Sequence, residues 1–301
     1  MSLTNRFLMS VAVSLTVASG AGAQSWVDTL RSSIEARVAQ QPGAVVGVAF
    51  HELGKGSLMI MNGDSLFHAA STMKVPVMIE YFRAVDEHRI SPDQGVLLLN
   101  SFRSIVDGSP YHLDAGDDSD SSLYAKVGTR VAASELVERM ITRSSNLATN
   151  AVIELVDAKA ANATAHHLGA TTIRVLRGVE DNLAFRQGLN NMTSPRDLAA
   201  LLEAIVQNRA ASPASCRQML GILERQEFND EIPAGLPKGV RVAHKTGWIT
   251  GVLHDAAVVF PEGHSPFVLV VLTRGIPEEG KARAIIADIA RLTWAALEKS
   301  R

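Results

Sequence analysis

The chain holds a single cysteine, Cys216, so no disulfide can close within it and the fold must rest on buried apolar surface. Cys216 lies in a helix-like stretch, residues 213–223, and reads as a small buried residue rather than a nucleophile. Neither sign of charge is in excess: 29 Lys and Arg stand against 31 Asp and Glu, with no basic cluster, which argues against nucleic acid as a partner. Metal-ligand spacing is missing too. His166 and His167 are adjacent and cannot both face one site from a helix, so no metal or other cofactor is expected. Internal repeats and low-complexity tracts, the marks of arrays and disordered segments, are absent.

Sustained apolar runs are equally scarce. Residues 7–17, behind Arg6, form the notable one, and it is too short to cross a bilayer. Ala21-Gly22-Ala23 then supplies the small residues of a cleavage site, so residues 1–23 are expected to be an export leader cut after Ala23. That reading implies a periplasmic or secreted protein with no membrane anchor after cleavage. Nothing in the sequence asks for a second chain, and a monomer is expected.

Residues 24–301 suffice for one large domain or two intimate subdomains. Helical periodicity over 26–41 stops at Pro42-Gly43. Residues 45–52 and 57–61, around Gly54-Lys55-Gly56, read as a hairpin. A helix is predicted over 71–88 from the spacing of Val75, Met78, Phe82 and Val85, with Pro76 near enough to its start to cost little. Residues 108–122 hold Asp114, Asp117, Asp118 and Asp120 without the alternation and Gly of a calcium loop, and read as a solvated loop.

Helices are predicted over 133–142, 146–156 and 159–168, then a strand over 172–176 and an irregular segment over 178–193. Ser194-Pro195 is an N-cap followed by Pro at the first helical position, opening a helix that runs to about Asn208. Strands over 240–246, 255–260 and 267–273 precede a closing helix over 279–297. Strands near both ends and helices between them predict an α/β (α+β) fold. One antiparallel sheet is built from both termini and flanked by helices, with an all-helical subdomain inserted in the middle. The expected division is 24–66 with 212–301 for the sheet and 67–211 for the helical part.

Three short motifs carry the chemistry. Ser71-Thr72-Met73-Lys74 is S-x-x-K at a helix start, a spacing that puts an amine and a hydroxyl on one face. A serine becomes a nucleophile when a base takes its proton, and a desolvated lysine can be that base. One such match arises by chance about once in a chain of this length, so alone it decides little. Ser144-Ser145-Asn146 lies between two helices: a hydroxyl there can relay a proton to a leaving nitrogen and the amide can hold a carbonyl, although such a tripeptide also serves simply as a helix cap. Lys245-Thr246-Gly247 closes a predicted strand and places a cation and a hydroxyl at a sheet edge, where Gly permits close approach. The G-x-S-x-G turn of the α/β-hydrolases is absent.

In this order the three motifs resemble the penicilloyl-serine family of β-lactamases and penicillin-binding proteins, with its S-x-x-K, S-x-N and K-T-G. The likeness covers essentially the whole mature chain and implies the family's α/β-plus-helical architecture. Within the family the chain looks like class A. Ser145 stands where S-D-N has an Asp that is mainly structural, which implies altered local support rather than a lost relay. Glu180-Asp181-Asn182-Leu183 looks like the class A E-x-x-L, whose Glu activates the water that hydrolyses the acyl-enzyme. Glu180 is therefore the expected deacylation base; Asp181 in that place, or two solvated loop charges, are the other readings. Ala184 stands where the family's pattern has an Asn that helps hold the water, and Asn190 or Asn191 are the candidates to replace it.

The resemblance also implies an oxyanion hole from the backbone N–H groups of Ser71 and Trp248, and substrate contacts at Asn146, Thr246, Gly247 and Trp248. Arg274 is either an aid to Thr246 in holding a substrate carboxylate or a surface charge. The implied activity is hydrolysis of a small-molecule β-lactam through a Ser71 acyl-enzyme, with Lys74, Ser144 and Lys245 as its further catalytic groups. A D,D-peptidase or esterase acting on cell-wall peptides shares the acylation and differs at Glu180. A non-catalytic drug- or wall-binding relative is the third reading, and the three intact motifs speak against it.

Overall fold

Alternation along β1 (Val45–Glu52) sends Val46, Val48 and Phe50 into one apolar cluster and Ala49 into another, as a strand covered on both faces requires. The computed structural model describes residues 20–300, with side chains from Trp26 onward, so residues 1–19 of the expected leader lie outside the described range. Five antiparallel strands form the main sheet in the order β2-β1-β11-β10-β9, with β2 (Leu58–Met61), β9 (Arg241–Ile249), β10 (Val252–Phe260) and β11 (Phe267–Arg274). Its registers pair Ala49 with Val270 and with Ile60, and Ala256 with Val270 and with Lys245. The sheet thus joins strands from both ends of the chain.

One face is covered by α1 (Gly20–Ala39) and α9 (Glu279–Lys299). Val27, Leu30 and Ile34 of α1 and Ile285, Ile286 and Ile289 of α9 recur at helical spacing and meet Phe50, Leu269 and Val271. Helix α1 begins at Gly20 rather than at residue 26 and ends two residues short of 41, before Gly43 turns with φ +81°. The other face continues without a break into the helical part through α7 (Pro195–Val206) and α2 (Lys74–Asp86). Ser194 caps α7 with a reciprocal Ser194–Asp197 box, as Ser-Pro foretold. Around α2, buried on every side from Lys74 to Phe82, stand α3 (Ala133–Thr142), α4 (Asn146–Val156), α5 (Ala158–His167) and α8 (Pro213–Glu224).

Two predicted elements change character. The helix expected from residue 71 opens as a 3-10 turn, Ala70–Met73, before α2 begins at Lys74. The strand expected over 172–176 reduces to one bridge, Arg174 to Met192, because its neighbour β8 (Met192–Thr193) pairs with β3 (Phe67–His68) and then enters α7. Short ladders also join β4 (Gly95–Leu97) to β7 (Arg130–Ala132) and β5 (Phe102–Arg103) to β6 (Pro110–Tyr111), so residues 108–122 are not wholly loop. No helix among the described residues is long and apolar enough to cross a membrane.

Candidate active site

Ser71 is half-buried in the 3-10 turn that leads into α2, and the chain is re-aimed just before it. Ala70 has φ +45°, a left-handed conformation that costs a non-glycine residue about 1–2 kcal/mol. Its N–H donates to His68 Nδ1 at 3.1 Å, and His254 Nε2 reaches the His68 carbonyl at 2.9 Å. Burial pushes His254 down to about 4, so it is a neutral donor anchoring the segment ahead of Ser71. From the other side β9 presses close. A Cβ on Gly247 would stand 3.1 Å from the backbone nitrogens of both Ser71 and Thr72, so glycine lets the strand edge approach the turn.

Lys74 and Lys245 are both fully buried and meet at one hydroxyl. Lys74 Nζ donates to the Ser144 carbonyl (2.6 Å), Ser144 Oγ (3.1 Å) and Asn146 Oδ1 (3.0 Å); Lys245 Nζ donates to Ser144 Oγ (3.0 Å) and the Thr246 carbonyl (2.9 Å). Ser144 has φ +55°, which lets its carbonyl and hydroxyl face the same amine. The S-x-x-K spacing suggests a direct bond from Lys74 to Ser71, yet the three bonds of Lys74 go to the 144–146 turn instead. Burial, then the neighbouring Lys245, holds Lys74 well below the ordinary lysine range. Burial also pulls Lys245 down to about 7, against the support of Asp255 and Glu231.

Asn146 carries the chain one step further. Its Nδ2 donates to Glu180 Oε1 at 2.7 Å while its Oδ1 accepts from Lys74, so Lys245, Ser144, Lys74, Asn146 and Glu180 form one hydrogen-bonded series. Glu180 is half-buried with φ +61°, and desolvation raises its pKa despite the Asn146 bond. The turn is clamped just before it by Asn150, whose Oδ1 accepts from the Val179 N–H (2.7 Å) and whose Nδ2 donates to the Val179 carbonyl (3.1 Å).

Asp181 points elsewhere: it caps α6 (Asn182–Arg186) and accepts from Ala184 N–H, the Ile105 N–H and Ser104 Oγ. Burial alone would raise its pKa, but these bonds outweigh it and hold the carboxyl below the usual range. Ala184 is buried in α6, and Asn191 is spent on the backbone of Leu176 and Arg177 while Asn190 accepts from Arg177.

Two adjoining hollows of about 380 and 350 Å³ share Ser71, Asn146 and Trp248 in their walls. Ser144, Thr246 and Gly247 line the first, and Glu180, Phe185 and His68 the second. Trp248 is 54% exposed, a wall rather than a core residue. Arg274 lies apart from both: it donates to the Leu66 carbonyl (2.9 Å) and stacks over Phe67 (5.1 Å). Cys216 is buried and its thiol faces the Ala211 carbonyl.

Sequence reasoning passed over His68 and His254, which no motif marks. It also treated four aspartates as a solvated loop; Asp114 and Asp117 are exposed, but Asp118 and Asp120 are buried. Asp120 pairs with Arg139 at 2.7 Å, and Asp118 sits under the start of α4.

Comparison with known proteins places these features among relatives. A family model described as the Beta-lactamase enzyme family matches residues 29–297. The carbapenem-hydrolyzing beta-lactamase KPC of Klebsiella oxytoca is 29% identical over 267 residues, covering 85% of this chain and 85% of that protein. The solved structure of PBP-A is 31% identical with a TM-score of 0.77, over 90% of this chain and 96% of that one. A single-residue mutant of PBP-A, captured as an acyl-enzyme complex with penicillin G, is 32% identical with a TM-score of 0.76, over 90% of this chain and 97% of that one.

Proposed function

Because the chain belongs to the beta-lactamase enzyme family, and is thereby a serine hydrolase of the class A-like kind, we propose that it hydrolyses the β-lactam amide through an acyl-enzyme on Ser71. The observation that carries the reading is the hydrogen-bonded series from Lys245 to Glu180 along the cleft that Ser71 opens into. Lys74, depressed by burial, is the acceptor of the Ser71 proton as Oγ attacks the carbonyl carbon. Ser144 Oγ, between the two amines, passes a proton to the departing ring nitrogen, and Lys245 favours the charge that builds nearby. The Ser71 and Trp248 N–H groups stabilise the oxyanion, and Thr246 and Asn146 hold the substrate. Water then attacks the ester, with Glu180 taking its proton, and Ser71 is released.

Ala184 favours a second reading. It leaves Asn146 as the one hydrogen-bonding partner of Glu180 among the described residues, and a weakly held base suits an enzyme that acylates fast and releases slowly, such as a D,D-peptidase or esterase working on cell-wall peptides. The likeness to lactamases and the short apolar run over residues 7–17, followed by Ala21-Gly22-Ala23, support an exported protein acting on a small molecule.

Single-turnover mixing with a penicillin, read by intact mass, tests the proposal. One adduct that forms and decays is expected on the parent, and none on Ser71→Ala. An adduct on Ser71→Ala would overturn the assignment of the nucleophile, and one that never decays on the parent would favour the second reading.

A further inference from the structure

Asp118 comes from the segment between β6 and β7, outside every motif, yet it is buried beneath the residues the mechanism uses. Its Oδ2 accepts the backbone N–H groups of Asn146 (2.9 Å) and Leu147 (2.8 Å), together with Ser145 Oγ (3.3 Å) and the Tyr124 hydroxyl (3.2 Å); its Oδ1 accepts the Asp120 N–H (2.9 Å). Two of these donors are the first N–H groups of α4, which have no partner inside the helix. A carboxylate there complements the positive end of the helix dipole. Ser145 Oγ, the N-cap, can satisfy the Ala148 N–H (3.2 Å) but brings no charge.

We propose that Asp118 is a positioning residue of the reaction: it fixes the first turn of α4, and with it the Asn146 amide between Lys74 and Glu180, and it supplies the negative charge that this end of the helix lacks at Ser145. The charge acts on both reacting groups in a definite sense, favouring the Lys74 ammonium and disfavouring the Glu180 carboxylate. The inference rests on the proposed roles of Lys74 and Asn146.

The other charged groups around this pair stay in place when Asp118 is changed. Lys74 faces Lys245 across Ser144 and Glu180 through Asn146; Glu180 also feels Asp117; Lys245 is supported by Asp255 and Glu231; and the Tyr124 hydroxyl faces Asp118 itself. Removing the Asp118 charge therefore moves the Lys74 and Glu180 titrations to lower pH, and both displace an acid limb in the same direction.

The experiment compares the parent, Asp118→Asn and the double variant Asp118→Asn with Ser145→Asp. The double variant returns a carboxylate to the same helix end, at a cap position where Asp is well tolerated. Lys74 is titrated directly by NMR of ¹³Cε-labelled lysine, and acylation by a penicillin is followed against pH. Asp118→Asn is expected to lower the Lys74 titration by about one pH unit and to slow acylation about tenfold, since the first turn of α4, and with it the Asn146 and Ser144 groups that hold the Lys74 amine, is less firmly placed for proton transfer. The double variant recovers most of both. An unmoved Lys74 titration in Asp118→Asn, or a double variant no better than the single, overturns the inference even if both variants melt earlier, because scaffolding alone would not shift a proton. The NMR titration needs no acylation, so a parent that fails to acylate would refute the proposed function while the Asp118 result is still read.

Discussion

Replacing Glu180 by Gln removes a charge and keeps a shape. Glu180 Oε1 accepts from Asn146 Nδ2 at 2.7 Å, and the Gln carbonyl can accept the same bond, so Asn146 keeps its place against Lys74. The step that suffers is the one needing a base beside the ester. General-base assistance is worth about 10²–10⁴ in rate, and a half-buried carboxylate whose pKa desolvation has raised lies toward the middle of that span. A loss of about 10³ in deacylation, or about 4 kcal/mol on that barrier, follows. Acylation moves little. Glu180 supports the Lys74 ammonium, so its removal only makes the amine easier to find neutral, and a change within about threefold is expected. In the parent, deacylation should fall as pH drops through the Glu180 pKa, at a higher pH than for an ordinary glutamate because burial raises that pKa. Quenched-flow mixing with a penicillin, read by intact mass, should show the Gln variant trapped as a long-lived adduct. Deacylation of Glu180→Gln within about tenfold of the parent would refute the reasoning, since no general base worth the name would then have been lost.

Lys74→Ala removes three hydrogen bonds to the 144–146 turn as well as the amine, and acylation should fall about 10²–10⁴-fold while non-covalent binding, read by competition, changes far less. Gly247→Ala places a methyl 3.1 Å from two backbone nitrogens that cannot yield as a side-chain tip would; acylation should drop about tenfold or more with a small change in melting temperature, measured by calorimetry and by rate. Asp181→Asn weakens three hydrogen bonds to a charged acceptor and should cost about 1–3 kcal/mol at pH 7 by urea unfolding. The folded Asp181 is held below its unfolded pKa, so its stabilisation is present above about pH 4 and is lost as pH falls through the folded value; the gap between parent and variant should close in acid.

How much of this was legible beforehand depends on the range of the forces involved. Residues 45–52 read as a strand because both faces are covered along most of it and its first six side chains, Val45 to Phe50, are all apolar or glycine. The helices over 133–142 and 146–156 were bounded correctly, the second because its N-cap is local: Ser145 accepts the Ala148 N–H, even though the first two N–H groups of that helix go to the distant Asp118. The strand over 172–176 failed for want of a partner, since Met192–Thr193 is too short to offer a ladder. The short ladders at Gly95–Leu97 and Arg130–Ala132 hold too few residues for period two to emerge. Asp117 and Asp118 are neighbours of one type, one exposed and one buried, and only α4 arriving from another part of the chain distinguishes them.

The motif residues differ in how firmly the fold holds them, and the difference bears on how the enzyme can vary. Lys74, Ser144 and Lys245 are gripped by two helices and a strand from three distant segments, through five hydrogen bonds that converge on residues 144–146 and the Thr246 carbonyl. Removing the Ser144 hydroxyl takes one acceptor from each of the two buried amines, which is costly in itself. Glu180 hangs instead from a loop residue at φ +61°, steadied by the Asn150 clamp on Val179 and by one bond from Asn146. The groups proposed for acylation thus sit in the core, whereas the proposed deacylating base rests on fewer bonds. Substitutions along 177–191 should therefore change the lifetime of the acyl-enzyme before they change how fast it forms.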